Sequence, residues 1–544
     1  MGSRPSRRPA AATGKAAAGH SLGMIPRIRA LALFAALALA ACSSGMIGGS
    51  SPGAGGAAGG MTGAAGTSGA AGMGGSGISG TTGAGAAGTS GAAGVTGSGA
   101  GTGTAGTTGW GNTSGGAGTT GVAGVSGAAG SPATGAIADR LTTSDVTVPA
   151  GVKAGVRNYR IWGASMLKVA PLYTAPLANC GTLLCYTSGT SSAYNARAIR
   201  LDASDKLTGA IDLGAGLECR GIAAEPDGHF AALLWDNATD KIYVRRFDIA
   251  GAQAWSTELT NSDNHPTDFG IGESRLEFGG DKYGAYYHVH SDSGHEGDTL
   301  KFTAASTGAQ TTQWSWGCSH SMSDLLSYHP QANSFLPVCV TDCYPGTGSG
   351  DFATVAIGGV YTDNKNKVMS VDAGCNGSVA GELGGAAIAP VGWKVTFNAH
   401  QAPATMGDKS YSTATMNQDI AFAAIDAGHK LTGAVVWLTT TPANEADSAL
   451  ARWQPDGDAT EQYLVGWMEP ATPAAYKLAR VGAAGNFLEG PTDVAARAKW
   501  GQRDDPFRVH TNHDVVWGWF DAANATTLHF ARLRSGGTAQ CASF

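Results

Sequence analysis

From residue 138 onward the apolar positions fall in short runs punctuated by Gly, Asp, Asn and Pro. From His229 the chain reads HFAALLWDNATDKIYVRRFDIAGAQAWSTEL. This is an apolar run, a polar turn, an alternating run, an Asp-x-x-Gly turn and a third run. Alternation with period two, rich in β-branched and aromatic residues, predicts strands, and helical periodicity is weak throughout. The same layout returns from Gly181, from Tyr283 (YGAYYHVHSDSGHEGDTLKF), from Ser334, and from Gln418 together with its preceding strand WKVTFNAH. It returns again from Glu461 (EQYLVGWMEPATPAAYKLARV) and from Val515 (VVWGWFDAANATTLHFARL), giving seven units. Their spacing is roughly 45–70 residues, in the range of repeat architectures once loops are inserted.

A meander of three or four antiparallel strands cannot hide both of its faces alone. Arranged around an axis, each unit covers the next and only short edges remain. The layout therefore resembles a β-propeller, all-β and seven-bladed, over residues 138–544. A pair of β-sandwiches is the alternative that also reads as many short strands. The resemblance rests on layout: Trp235-Asp236 occurs once without recurring from unit to unit, and neither the kelch glycine pair nor a sialidase box is present. The last unit lacks a fourth strand. Asp145-Val146-Thr147-Val148-Pro149 is expected to supply it from the N-terminal side, and Cys541 to fasten the C-terminus to Cys180 or Cys185.

Ahead of this region the grammar changes. Residues 1–41 carry Arg4, Arg7, Arg8, Lys15, Arg27 and Arg29 and no acid, followed by the apolar run ALALFAALALAA from Ala30 to Ala41. About twelve apolar residues are too few for a spanning helix, which needs about twenty, but they suit an export signal. Met24 begins a compact signal by itself. The run ends Leu39-Ala40-Ala41-Cys42, which resembles a bacterial lipobox. The resemblance implies cleavage before Cys42, a diacylglyceryl group on its thiol and a palmitate-type acyl chain on the new N-terminus. Two or three chains, at about 0.8 kcal/mol per buried CH₂, anchor a protein firmly. Ser43 and Ser44 stand where an inner-membrane retention Asp often stands, so the expected address is the outer membrane, on its periplasmic or exposed side. Residues 43–137 are almost entirely Gly, Ala, Ser and Thr, with no charge. Such a segment cannot bury enough apolar surface to offset its ordering entropy, and it is read as a disordered tether. Its ~95 residues reach roughly 50–60 Å r.m.s.. In composition it resembles the tethers of myxobacterial lipoproteins.

Removing the six basic residues of the signal leaves 29 basic against 41 acidic side chains, a balance of −12. Nucleic acid, which calls for a basic stripe, is not an expected partner. Of the nine cysteines, Cys42 is taken by lipid. The remaining eight, Cys180, Cys185, Cys219, Cys318, Cys339, Cys343, Cys375 and Cys541, read as disulfides in an exported chain, with 105 pairings open.

The densest chemistry is HVHSDSGHEGD, residues 288–298. His288 and His290 alternate on one strand and share a face. Neutral imidazole is the commonest protein ligand for zinc, copper and iron, so His288 and His290, joined by His295 or by His320 of WSWGCSHSMSD, form the candidate metal set. Glu296 is the candidate general base, and Asp292 and Asp298 would orient the ligands or bind calcium through hard oxygens. The competing use is imidazole–carboxylate pairing that stiffens a long turn. In propellers this turn and the inter-blade loops share a rim, and the resemblance places the cluster there. Trp314, Trp316, Trp517 and Trp519 read as inter-blade packing, and Arg503-Asp504-Asp505 with His510 and His513 as a solvated turn or extra rim contacts.

These features predict a monomeric, lipid-anchored module of the cell envelope displaying a propeller for a glycan, a peptide or an envelope protein. The alternative activity is a metal-dependent hydrolase using the histidine-rich rim.

Overall fold

The computed structural model describes residues 135–155, 171–260, 271–272, 274–290, 296–319, 323–341, 352–358, 367–371, 381–399, 401, 417–501, 505–537 and 540–542. The signal region, Cys42 and the Gly/Ala/Ser/Thr-rich stretch to residue 134 lie outside them. No helix among the described residues is long and apolar enough to cross a membrane.

Among the described residues the strands form seven four-stranded antiparallel sheets. In sequence order they are blade 1 (residues 173–215), blade 2 (218–258), blade 3 (275–319), blade 4 (324–371), blade 5 (381–437), blade 6 (446–493) and blade 7 (508–533, completed by 141–147). The first strand of each blade touches the first strand of the next, and that of blade 7 touches that of blade 1, so the ring closes as a propeller. The three runs read in each sequence unit are the second, third and fourth strands. The first strands are short and carry little alternation, as in Tyr173–Pro176 and Arg508–Val509.

Burial falls from the axis outward. In blade 2 the second strand, Phe230–Asp236, is buried on both faces because a blade presses on each side. Its third strand, Lys241–Phe247, alternates, and its fourth, Gln253–Glu258, is largely exposed. A continuous apolar run on the second strand and a polar fourth strand are what those environments select. Asp side chains set the turns between third and fourth strands. Asp202 Oδ1 accepts from the Ser204 and Lys206 amides at 2.8 and 3.0 Å, and Asp426 Oδ1 accepts from those of Gly428 and Lys430 at 2.9 Å each. The turn residues Asp205 and His429 have φ of 62°. An Asp side chain bonded to the backbone two and four residues on fixes such a turn locally.

Leu141–Thr147 pairs with Thr527–Leu533, with Asp145 opposite His529 and Val146 opposite Leu528. The expected closing strand is thus present. Packing begins slightly upstream of residue 138: Ile137 is fully buried against blade 7, and its amide donates to Glu489 Oε1 at 2.7 Å. Cys180–Cys541 ties the tail to blade 1, Cys185–Cys219 joins blades 1 and 2, and Cys318–Cys339 joins blades 3 and 4. Cys343 and Cys375 lie outside the described residues. Trp500, Phe507 and Trp517 pack between blades 6 and 7 with ring centroids 4.7–6.0 Å apart, the use expected for Trp517.

Candidate functional site

The upper rim is the end where first strands begin and second strands finish. On blade 3 the strand Lys282–His290 turns Tyr286, His288 and His290 toward blade 4, where Tyr286 packs with Leu326, Phe335 and Cys339. Register sets Asp298 opposite His288 and Glu296 opposite His290. His288 and Asp298 are fully buried, and His290 is half-buried. The Tyr286 hydroxyl donates to Asp298 Oδ2, and the Cys318 amide donates to Asp298 Oδ1 at 2.7 Å. Burial and the nearby charges of Asp298 and Asp324 hold the Tyr286 phenol well above its ordinary pKa, so it remains a donor. One Asp298 oxygen and the sulfurs of Cys318 and Cys339 lie within 4.8 Å of one another. The two sulfurs are bonded to each other. The strand register therefore sets His288 opposite Asp298 and places His290 on the same strand face as His288. The strands enclose His288 and Asp298 between blades, away from the open rim, because the second strand is covered on both sides. Asp292, His295 and His320 lie outside the described residues, and Glu296 is placed only by its backbone.

Nearer the axis the same end carries charge. Arg220 and Lys153 bond Glu218 at 2.8 and 2.5 Å. Burial pushes the Glu218 carboxyl up, but the two cations outweigh it and hold it below its ordinary value. Arg275, on the first strand of blade 3, meets Asp505 at 3.1 Å, and Arg508 meets the other Asp505 oxygen at 3.0 Å. The Asp505 amide donates to Gly384 O of blade 5 at 2.8 Å. The turn expected to be solvated thus places Asp505, 4% exposed, among blades 3, 5 and 7. Its charge is buried because Arg275 and Arg508 compensate it. Arg503 and Asp504 lie outside the described residues.

At the opposite end, where first strands turn back into second strands, a cavity of about 570 Å³ opens around the axis. Pro176, Glu277, His329, Ala389, Arg452 and His513 line it from six different blades. A neighbouring cavity of about 290 Å³ shares Glu277 and Arg508 and adds Glu225 of blade 2. Several lining groups are engaged. Arg508 Nε donates to Thr174 O at 3.2 Å. His329 Nε2 lies 3.0 Å from Ala389 O while its Nδ1 accepts from the Ala332 amide at 3.2 Å, which fixes the Nε2–H tautomer. His510 is buried against Thr182 Oγ1 at 3.1 Å. Burial, reinforced by Arg532, pushes the His510 imidazole down to about 3. His513 is also lowered, by burial and then by the charge of Arg452. Arg452 is half-buried and has no hydrogen-bond or ion-pair partner among the described residues.

Sequence reasoning passed over Arg452 and Arg275, and read Asp505 as part of a solvated turn or rim contact. A signal was available. Four first strands, ECRGIAA, RLEFG, ADSALAR and RV, each carry one arginine, and three of them set it among mostly apolar or small residues. An arginine within the innermost strand of several units, at different positions along it, points to the axis.

No protein-family model and no curated protein matches the sequence. Among solved structures, the chain is similar to the β-propeller domain of the trilobed protease from Pyrococcus furiosus, at 9% identity over 66% of this chain and 93% of that one, TM-score 0.37. It is similar to the polysaccharide lyase Uly1 at 11% identity over 72% and 97%, TM-score 0.42. It is similar to the Dos1 propeller at 9% identity over 67% and 93%, TM-score 0.34. These likenesses are of fold alone, and the propeller stands on the strand pairing and ring closure described above.

Proposed function

We propose that this protein is a lipid-anchored binding module of the cell envelope. Residues 43–137 hold the propeller away from the membrane, and the axial cavity receives a glycan or peptide segment presented by the envelope. The cavity carries this reading: it is of ligand size, it is lined from six blades, and it contains a half-buried arginine whose side chain has no partner among the described residues. The lipobox-like LAAC at residues 39–42 supports the anchor.

Two experiments test it. Metabolic labelling with a palmitate analogue should mark the wild-type chain and leave Cys42→Ala unlabelled and released from membranes. Full-length protein in detergent, titrated with glycan and peptide libraries, should show saturable binding that is lost when Ala389→Trp fills the cavity. Labelling of Cys42→Ala, or binding insensitive to the cavity, would count against the module.

A second reading, a metal-dependent hydrolase, draws on the register that sets Asp298 opposite His288 and Glu296 opposite His290 on paired strands. It expects about one equivalent of zinc, copper or iron in the purified full-length protein, lost on changing His288 and His290 to Ala. A calcium site at Asp292 and Asp298 would instead survive that change.

A further inference from the structure

A guanidinium taken partly out of water without a partner is costly, and such groups are normally matched by an anion. Arg452 is in that position. It lies at the end of the first strand of blade 6 and lines the axial cavity; its Nε is buried without a partner, and its side chain makes no hydrogen bond or ion pair among the described residues. The other cavity arginine, Arg508, is already committed to Asp505 and to the Thr174 carbonyl. His513, at the tip of the blade 7 hairpin, lines the same cavity and feels the charge of Arg452. Gln331 stands on the same lining and can donate to a ligand's neutral oxygens, while Gln454, also on the lining, already donates to Asp458 O at 3.2 Å.

We propose that Arg452 and His513 receive a carboxylate of the ligand in the axial cavity. This rests on the binding-module reading and names the chemical class of its ligand. The planar fork of Arg452 fits the two oxygens of a carboxylate, and the neutral imidazole of His513 supplies a further donor. A monoanion suits the site better than a phosphate dianion. One uncommitted cation faces the cavity, and Glu277 contributes negative charge to the same wall. A carboxylate of this kind occurs on an acidic sugar and at the end of a peptide. Each would enter as a chain end, since the cavity is of small-ligand size.

The test is calorimetric titration of the full-length protein in detergent with four probes. These are trigalacturonate and its neutral counterpart trigalactose, and an acetylated tripeptide with a free C-terminus and its C-terminal amide. The carboxylate member of one pair should bind at one site, roughly tenfold or more tighter than its neutral partner, as expected for hydrogen bonds to a charged group. Which pair responds distinguishes sugar from peptide. Arg452→Gln should bring the affinity for that carboxylate down to the neutral level, Arg452→Lys should restore part of it, and His513→Gln should cost less. Equal binding of charged and neutral partners, unaffected by Arg452→Gln, overturns the carboxylate inference and leaves the cavity as a binding site. Binding of none of the four to a folded protein overturns the inference and the binding-module reading together. The comparison of paired probes on the wild-type chain needs no variant to fold.

Discussion

Arg275 of blade 3 and Asp505, from the segment leading into blade 7, meet at 3.1 Å across the axis of the ring. Both are almost fully buried, at 2% and 4% exposure. The contact joins blades that are not neighbours, and Asp505 also holds Arg508 and reaches blade 5 through its amide. Removing one partner of this buried pair takes away a large part of the compensation of the other charge. Arg275→Met should therefore destabilise by about 3 kcal/mol or more, and Asp505→Asn by a similar amount. The double variant should cost less than the sum, because the charge each single change leaves undercompensated is removed by the other, with Arg508 still losing its Asp505 contact. Denaturant unfolding of the four species as a cycle checks this, and simple additivity would show that the pair is not coupled.

The closure of the ring is also fastened covalently. Cys180 and Cys541 are 361 residues apart in sequence, whereas Cys185 and Cys219 are 34 apart. If disulfides act mainly on the unfolded chain, losing the first should cost roughly 2 kcal/mol more than losing the second. Thermal unfolding of Cys541→Ser and Cys219→Ser compares them. Equal losses would mean that local packing, and not loop length, governs both.

Acid should loosen the cavity end of the ring. His510 is held neutral by burial, with its pKa pushed down to about 3, so the folded state binds fewer protons than the unfolded state between about pH 6.5 and about pH 3. Stability is then full above pH 6.5 and falls as pH drops through that window. His510 alone should account for up to about 3 kcal/mol between pH 6.5 and pH 4, at about 1.4 kcal/mol per pH unit. His510→Gln should flatten the pH dependence of unfolding whatever its own cost at neutral pH. An unchanged slope would show that other groups carry the acid response.

Lys301 should weaken the protein. It is 1% exposed, its amine donates to Leu259 O, and burial pulls its pKa down to about 8. Here the unfolded chain binds the extra proton between about pH 8 and about pH 10.4, so this group's contribution to stability rises with pH through that range. Lys301→Met, of similar length and without charge, should stabilise by about 2 kcal/mol at pH 7 and should lose that advantage at high pH. A destabilised Met variant would mean that the single hydrogen bond outweighs the burial of the ammonium.

Much of this architecture was legible along the chain. The run FAALLWD at 230–236 is apolar throughout because both its faces are covered, and KIYVRRF at 241–247 alternates because its faces are unequal. Asp202 and Asp426 announce their turns because the side chain bonds the backbone within four residues. That a strand containing Asp145 completes the last blade followed from counting, a last unit one strand short and an unused strand ahead of the first; its bounds, Leu141–Thr147, and its register opposite His529 did not. The histidine cluster was legible as a cluster, but its depth was not. Whether His288 stands on an open rim or between two blades depends on how closely blade 4 packs.

The sequence by itself therefore determined the second, third and fourth strands of each blade, their turns, the repeat and the presence of a closing strand, since each is encoded by neighbours a few residues apart or by a periodic count. Only the tertiary structure decided which polar side chains reach the axis. Asp505 reads as a solvated turn residue until Arg275, three blades away, is brought beside it, and Arg452 reads as one more strand arginine until the ring leaves it facing a cavity. The reason is physical: the cost of burying a charge is set by what stands opposite, and in a closed ring that partner comes from a distant part of the chain.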